Sequence, residues 1–453
     1  MSTRREFLKQ SAVITAGTLI AANTPGINLL ETKKVIIIGA GFAGLSAAHM
    51  LKQNGFDVTI LEARNRIGGR VFSFKINDNP DQVIELGAEW VGASHERLIA
   101  MCNEFGLELK DNRFESRMIY DNTYYPRGGW DYSAEWNAKF DQIIKDYDRL
   151  TEEDKIRLDK MDWWRYLVNN GIEPRDLDIR EYLDSTDFGE SIRFVSAFAA
   201  LAEYAESSEY NEMDFKIVGG NGRLAEELAK RIGEENILTS HTVSEVVQTS
   251  DGVMVRCTNG KTFDGFRAIC AIPTLSMSKI KWMPGLPNEK TEAMNALQYA
   301  RINKNATLYS ERFWQDEAFD MVTDTPAHYY YHATKYQPGP GGVLIAYNIG
   351  DKADMMARQS KFLKEKIAVE NLTPAFGDIS NLAVKNVNYY WGQDPYSAGA
   401  YALYGKGQWF TLMPILKEKF VNVYFAGEHV ADWQGFMEGA INTGEEAAEE
   451  IMS

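Results

Sequence analysis

Three glycines near the start of the chain are spaced as in a loop that binds a diphosphate. Gly39, Gly41 and Gly44 follow the β-branched run at 35–38 and lead into a helical pattern. In such a loop the first glycine allows a tight turn, the second lets the backbone approach a pyrophosphate, and the third lets the helix pack on the strand. Backbone N–H groups at the start of the helix then meet the phosphates.

The elements around these glycines complete a dinucleotide-binding unit. The run at 33–38 predicts a strand buried on both faces, the pattern at 45–51 predicts a helix that ends near 54–55, and a second strand follows at 57–61. Glu62 ends that strand, where an acidic side chain accepts hydrogen bonds from a ribose. Strand, glycines, helix, strand and carboxylate in one unit are specific to a Rossmann-type fold.

More segments with buried strands and glycine turns follow along the chain. The loop at 63–70 holds two glycines and three arginines, which is more than one nucleotide-binding turn requires, and an apolar strand at 84–92 ends in a glycine turn. A helix is expected at 225–232 and a strand pair at 243–247 and 252–256. Asn-Gly at 259–260 signals a further hairpin turn, and 268–272 reads as a buried strand.

Between these segments, residues 133–200 are predicted to be helical. Apolar residues at 133–200 recur every three or four positions, and we interpret their aromatic side chains as core. The cluster Tyr329–His332 fits either strand packing or the wall of a pocket.

Composition excludes several classes of protein. Hydrophobic residues make up 45% of the 453 residues and charged residues 25%, which excludes a disordered or fibrous chain. The net charge of −16 disfavours a nucleic-acid partner, because an acidic surface repels phosphates. Three separated cysteines give neither a disulfide framework nor a zinc pattern, so no metal is expected.

The N-terminus reads as a targeting segment. Ser-Thr-Arg-Arg-Glu-Phe-Leu-Lys at 2–9 precedes an apolar stretch at 12–22 that is too short for a stable membrane span. It resembles a bacterial twin-arginine signal, so residues 1–32 are predicted to direct export of the folded protein to the periplasm or out of the cell. A basic amphipathic helix is the alternative.

The segments 62–70, 84–92 and 423–429 together resemble the flavin-dependent amine oxidase family, which includes monoamine, polyamine and L-amino-acid oxidases. The resemblance implies an α/β fold in which a GR2-type, Rossmann-like FAD-binding domain is interleaved with a mixed α+β substrate domain. It places the FAD-binding domain at 33–95, 215–276 and 386–453, and the substrate domain at 96–214 and 277–385. A homodimer is left open.

The same resemblance implies which residues contact FAD. Ala400 stands where some monoamine oxidases have the cysteine that binds the flavin, so the cofactor is expected to be non-covalent. The expected FAD contacts are Gly39, Gly41, Gly44, Glu62, Arg64, Gly69, Arg70, Gly87, Ala88, Glu89, Trp90, Val243, Trp391, Gly427, Glu428, Gly435, Phe436 and Met437.

Four residues match the family's reaction site. Tyr401 and Phe436 match an aromatic cage for the amine, although monoamine oxidases usually carry tyrosine at the second position. Lys304 matches the lysine that holds a water against flavin N5, and Trp391 matches a tryptophan beside the flavin. Because no hydrolase-type pairing of side chains is evident, the flavin is expected to carry the chemistry.

The resemblance leaves the substrate open between an amine and an L-amino acid. Many L-amino-acid oxidases hold the substrate carboxylate with an arginine in a Gly-Ala-x-Arg turn, where this chain has Trp90, so an amine is favoured. Arg97 or Arg301 could still serve. The expected products are imine or aldehyde, ammonia and H2O2, with O2 as the acceptor. An amino-acid oxidase forming a 2-oxo acid, and a non-oxidase FAD protein such as an isomerase or desaturase, are the alternatives.

Overall fold

A computed structural model of the protein describes residues 33–79 and 81–453. The predicted export signal at 1–32 lies outside the described residues. Among the described residues, no helix is both long and apolar enough to cross a membrane.

A parallel five-stranded sheet contains the predicted dinucleotide-binding unit. Its buried residues are mostly β-branched or aliphatic, as expected for strands covered on both faces. In spatial order its strands are Val423–Phe425, Arg267–Cys270, Lys34–Ile38, Asp57–Leu61 and Ile237–Leu238.

A seven-stranded mixed sheet forms the second large layer. Its central strands Ile302–Tyr309 and Gly342–Ile349 are buried at every position. In spatial order its strands are Ala383–Tyr390, Ile302–Tyr309, Gly342–Ile349, Tyr329–His332, Phe319–Thr323, Glu115–Tyr120 and Thr123–Tyr125.

Smaller sheets and helices complete the fold. A four-stranded sheet has the order Thr262–Gly265, Val253–Cys257, Val243–Gln248 and Lys281–Met283. Strand pairs join Ser73–Lys75 to Val83–Glu85, Leu109–Asp111 to Phe215–Ile217, and Gln298–Tyr299 to Ala402–Leu403. The α-helices are Phe42–Gln53, Glu96–Phe105, Ala134–Asp146, Glu152–Asp159, Trp163–Asn169, Pro174–Phe188, Ala197–Glu206, Gly222–Ile232, Thr274–Met277, Asn288–Ala296, Gly350–Ala357, Lys361–Glu370, Thr373–Phe376, Trp409–Lys417 and Met437–Met452.

The predicted order of elements is confirmed, with shifts at their ends. The first helix begins at Phe42 and the helix expected at 225 begins at Gly222, because both glycine loops pass directly into a helical turn. The strand expected at 84–92 is confined to Val83–Glu85, since the backbone turns at Leu86 and Gly87. The Asn-Gly turn joins Val253–Cys257 to Thr262–Gly265 as predicted.

The division into domains stays a prediction. Lys281–Met283 lies beyond the expected boundary at 276 yet pairs with Val243–Gln248. Ala383–Tyr390 spans the expected boundary at 386 and pairs with Ile302–Tyr309.

Candidate active site

One large cavity receives residues from both large sheets. It encloses about 2150 Å³ of space outside the protein atoms, its open mouth included. One end, here called the cofactor end, is lined by residues that follow strands of the five-stranded sheet. The other, called the reaction end, is lined by the helices Pro174–Phe188 and Ala197–Glu206, the loop at 211–213 and the strands Ile302–Tyr309 and Gly342–Ile349. Ligands of open parallel sheets bind at the carboxyl ends of the strands, where the cofactor end lies.

Two glycine loops meet at the cofactor end. The Gly68 N–H donates to the Ala40 carbonyl at 2.8 Å. No side chain caps the helix that begins at Phe42, so its first N–H groups are left for a ligand. A Cβ on Gly44 would lie 2.0 Å from the Gly39 carbonyl oxygen, so only glycine lets the helix pack this closely on the strand.

Glu62 and Arg64 are fixed at the end of the second strand. Glu62 Oε2 accepts from the Ala40 N–H at 2.8 Å, and its Oε1 accepts from the Arg64 N–H at 2.7 Å. Arg64 Nη2 donates to Asp394 Oδ1 at 2.5 Å and to Ser397 Oγ at 2.8 Å. The carboxylate and the guanidinium are therefore oriented before any ligand binds.

Arg70 and Glu428 join the two loops that follow distant strands. Arg70 Nη1 lies 2.6 Å from Glu428 Oε1. Glu428 Oε2 also accepts from the Gly435 N–H at 2.7 Å. Burial disfavours the charged guanidinium, but the Glu428 carboxylate outweighs that effect and raises the pKa of Arg70.

Three successive carbonyls position two of the predicted reaction residues. Lys304 Nζ donates to the Glu85 carbonyl at 3.1 Å and to the Gly87 carbonyl at 2.7 Å. Trp391 Nε1 donates to the Leu86 carbonyl between them at 2.8 Å. A Cβ on Gly87 would lie 1.9 Å from the Arg70 carbonyl oxygen, so the turn that aims these carbonyls needs glycine there.

A buried polar network surrounds the Lys304 ammonium group. Tyr331 Oη accepts from Lys304 Nζ at 2.9 Å and donates to Glu89 Oε2 at 3.0 Å. The Glu89 oxygen lies 3.6 Å from Lys304 Nζ. Burial lowers the pKa of Lys304, opposed by the Glu89 and Glu85 carboxyl groups. The predicted water contact of Lys304 stays a prediction.

The two predicted cage residues line the reaction end. The Tyr401 hydroxyl donates to the Asp187 carbonyl, and a Cβ on Gly435 would lie 2.9 Å from Tyr401 Cδ2. Phe436 packs edge-on against His95, with ring centroids 5.2 Å apart, and against Trp433 at 5.8 Å. Both rings are therefore held in place by contacts with neighbouring residues.

Sequence reasoning missed the acidic wall of the reaction end. Asp187, Glu203 and Glu212 all line the cavity; Glu203 and Glu212 are buried and Asp187 is half-buried. Burial raises the pKa of Asp187 to about 7, although its Oδ2 accepts from the Tyr204 hydroxyl at 2.7 Å. A glutamate directly after the apolar run at 197–202 was a signal that could have identified Glu203.

Most of the predicted site residues meet in this one cavity. Gly44 does not line it and instead packs the helix on the strand. The Tyr329–His332 strand is buried, contributes Tyr331 to the network and does not line the cavity, whereas Tyr347 does. The predicted residues on the cavity wall are Gly39, Gly41, Glu62, Arg64, Gly69, Arg70, Gly87, Ala88, Glu89, Trp90, Val243, Lys304, Trp391, Tyr401, Gly427, Glu428, Gly435, Phe436 and Met437.

The arginines considered for a substrate carboxylate lie elsewhere. Arg97 makes a bidentate contact with Glu445 at 2.6–3.0 Å. Arg301 contacts Glu190 at 2.7 Å and also Asp351 and Asp354. Neither lines the cavity.

The cysteines and possible metal ligands of the described residues are not grouped at the site. The three cysteines are buried free thiols that do not line the cavity. Within 33–79 and 81–453, no group of three His, Cys, Asp or Glu side chains could hold a metal ion.

The fold and cavity define a dinucleotide-binding enzyme whose reaction end is walled by aromatic and acidic side chains. Residues 42–452 match the family model described as flavin containing amine oxidoreductase. The chain therefore belongs to that family, so it is a flavoprotein oxidoreductase that acts on amines.

Individual relatives are distant but similar over their whole length. Amine oxidase [flavin-containing] A from Canis lupus familiaris is 26% identical, over 92% of this chain and 85% of its own. Amine oxidase [flavin-containing] B from Homo sapiens is 26% identical over 92% and 86%.

Solved structures share the fold. Putrescine oxidase in its wild-type form bound to putrescine has a TM-score of 0.82 at 21% identity, covering 93% of this chain and 99% of that one. Cyclohexylamine oxidase from Brevibacterium oxydans has a TM-score of 0.82 at 20% identity, covering 93% and 100%.

Proposed function

We propose that the protein is an FAD-dependent oxidase that converts an amine, rather than an L-amino acid, to an imine, with O2 as the electron acceptor. The imine then hydrolyses to a carbonyl compound and ammonia or a smaller amine. The choice of an amine as substrate rests on one observation. Among the described residues, those at the reaction end include acidic side chains and no arginine guanidinium.

The charges along the cavity support an amine. Among the described residues, the guanidinium groups on its wall belong to Arg64 and Arg70, both at the cofactor end. A substrate carboxylate is bound best by a bidentate arginine, and the reaction end instead presents Asp187, Glu203 and Glu212. Carboxyl groups in a low-dielectric cavity attract a cationic substrate and repel an anionic one.

The residues at the cofactor end fit FAD. The uncapped helix start at Phe42 and the adjoining glycine loops suit a pyrophosphate, and Glu62 suits a ribose. Two polar atoms on residues of the cavity wall, Trp90 Nε1 and Gln434 Oε1, are buried without a partner and can bond the polar edges of a flavin. FAD held by these residues would supply the acceptor of the substrate hydride and the route by which two electrons reach O2.

The protein's part in the reaction is to bind, orient and desolvate the amine. The substrate loses a hydride from its α-carbon and a proton from nitrogen, forming the C=N bond, and two electrons with two protons reduce O2 to H2O2. The aromatic walls at Tyr401, Phe436 and Tyr347 exclude water, which lowers the pKa of a substrate ammonium and favours the neutral amine that reacts.

The side chain at position 400 supports non-covalent cofactor binding. Ala400 lies on the cavity wall and has no nucleophilic atom, and Cys102, Cys257 and Cys270 lie away from it. Acid precipitation of the purified protein should therefore release all the flavin to the supernatant, and mass spectrometry of that supernatant should identify FAD. Flavin retained in the pellet would contradict this.

A peroxide-coupled assay with matched pairs of amines and L-amino acids tests the choice of substrate. Each pair, such as phenethylamine and L-phenylalanine or putrescine and L-ornithine, differs only by the carboxylate. We expect peroxide from the amine of at least one pair and none from its amino acid. Turnover of the amino acids alone would identify an L-amino-acid oxidase. Tightly bound flavin without peroxide from any compound would favour the isomerase or desaturase alternative.

Export is a separate proposal, based on the sequence at 1–32. The arginine pair and the short apolar stretch support a twin-arginine signal that places the folded flavoprotein in the periplasm or outside the cell. A fusion of residues 1–32 to a reporter should be exported, and Arg4→Lys with Arg5→Lys should block that export. Export of the double variant at the normal level would contradict the proposal.

A further inference from the structure

The Lys304 ammonium group is enclosed by three acceptors from the protein. Nζ donates to the carbonyls of Glu85 and Gly87 and to the hydroxyl of Tyr331, at 2.7–3.1 Å. The lysine is 3% exposed, yet it lies on the wall of the cavity. The Lys304 ammonium group is therefore held in one position at the cavity wall, unlike a mobile lysine on the protein surface.

The pattern of donors and acceptors selects the charged form of this lysine. The two carbonyls can only accept, and the Tyr331 proton is directed to Glu89 Oε2 at 3.0 Å. An ammonium group has three protons for these three acceptors, whereas a neutral amine has two and would turn its lone pair towards one of them. Leaving a buried acceptor unpaired is unfavourable, because it loses its hydrogen bond to water and gains none in return.

Glu89 carries the charge that balances the ammonium group. Burial together with Glu89 raises the pKa of Glu85 to about 8, so Glu85 is largely protonated at pH 7. Glu89 Oε2 lies 3.6 Å from Lys304 Nζ, close enough for its carboxylate to oppose the lowering of the lysine pKa by burial. The titratable and charged groups around Lys304 and its carboxyl partners are Glu85, Glu89, Tyr329, Tyr331, Tyr347 and Lys216.

We infer that Glu89 and Tyr331 are positioning residues that keep Lys304 protonated at the cavity wall, and that they thereby set the rate at which the reduced cofactor reacts with O2. This inference rests on the proposed oxidase function. Reduction of O2 to H2O2 takes two electrons from the reduced cofactor and two protons, and it places negative charge on oxygen. A fixed ammonium group in a site of low dielectric constant stabilises that charge without reorganising.

The test measures reoxidation without any amine. Holoenzyme is reduced with dithionite under anaerobic conditions and mixed with O2-saturated buffer, and flavin absorbance is followed from pH 6 to 10. If protonated Lys304 is required, the rate falls as pH rises through its pKa. Glu89→Gln removes the balancing charge, so the midpoint of this fall should move down by about 1–3 pH units. Tyr331→Phe should move it in the same direction by a smaller amount.

Tyr329→Phe is the matched control. Tyr329 lies on the same strand, and its ring stacks on Tyr331 with centroids 5.7 Å apart, but its hydroxyl donates to Asp320 at 2.8 Å, away from Lys304. This variant should lose stability without any shift of the midpoint. A shift in Glu89→Gln and Tyr331→Phe but not in the control supports the inference.

Two outcomes would overturn it. In the first, Glu89→Gln and Tyr331→Phe both keep the wild-type midpoint. In the second, the midpoint moves by the same amount in these two variants and in Tyr329→Phe. If Glu89→Gln does not retain flavin, Tyr331→Phe decides by itself. Dithionite replaces the substrate, so this test does not depend on amine oxidation. A protein whose flavin is reoxidised by O2 but which gives no peroxide with amines would contradict the proposed function, and the reoxidation test would still decide this inference.

Discussion

Each end of the cavity holds a cation beside a carboxylate, but the two pairs differ in how firmly the charge is fixed. At the cofactor end, Arg70 and Glu428 are in direct contact at 2.6 Å, and the pKa of Arg70 is raised. At the reaction end, Lys304 and Glu89 are 3.6 Å apart, Tyr331 bridges them, and the pKa of Lys304 is lowered.

The difference follows from the chemistry of the two cations. A guanidinium stays charged throughout the physiological range and suits the binding of a permanently charged group such as a pyrophosphate. A buried lysine shifts its pKa readily and suits a step that responds to charge. Flavin retention should therefore be nearly independent of pH between 6 and 9, whereas reoxidation should depend on pH.

The strongest disruption is expected at the cofactor end from Gly44→Val. Its Cβ would lie 2.0 Å from the Gly39 carbonyl oxygen, so helix and strand must separate. We expect a loss of at least about 3 kcal/mol in the free energy of unfolding and little bound flavin, measured by thermal denaturation and by the ratio of flavin to protein absorbance. Gly55→Asn, after the same helix and in open space, is the control. A Gly44→Val protein with normal flavin content would contradict the close packing.

Glu428→Gln should be the next most damaging change. It leaves the partly exposed Arg70 guanidinium without its carboxylate, and losing a hydrogen bond between charged groups costs about 1.5–3 kcal/mol. Chemical denaturation of the apoprotein measures this loss, and flavin titration measures the weaker binding. An unchanged midpoint of denaturation would show that water stabilises the charge of Arg70 as well as Glu428 does.

Lys304→Met tests the reaction end. It removes the cation and should slow reoxidation by about 10²-fold, while reduction by the amine changes much less. Rapid mixing under anaerobic and aerobic conditions separates the two half-reactions. Lys385→Met, an exposed lysine on the neighbouring strand Ala383–Tyr390, is the control. Equal slowing of both half-reactions would contradict a role specific to O2.

Phe436→Tyr should have the smallest effect. The ring stays packed against His95 and Trp433 and gains a hydroxyl dipole at the reaction end. We expect kcat/KM to change by less than about tenfold, with a different ranking among amines and no change in flavin content. A loss of flavin in this variant would place Phe436 in cofactor binding and not in the cage.

Much of the fold and of the cofactor end could be predicted because the residues that form them lie close together in the sequence. The glycines at 39–44, the flanking strands and Glu62 lie within one stretch of chain, and their spacing encodes a local backbone shape that needs no distant partner. The resemblance added Lys304, Trp391, Tyr401 and Phe436 as single positions, and the tertiary structure brings all four to one cavity.

The amino-acid sequence by itself determined the nucleotide-binding unit, the order of strands and helices, and the absence of a cysteine at position 400. Only the tertiary structure decided what surrounds the reactive groups. Tyr331 lies between Lys304 and Glu89, and acidic residues from two helices and a loop line the same cavity as the cage. Hydrogen bonds and charge interactions act over a few ångströms, and groups more than 200 residues apart in the chain come within that range only after the sheets have packed.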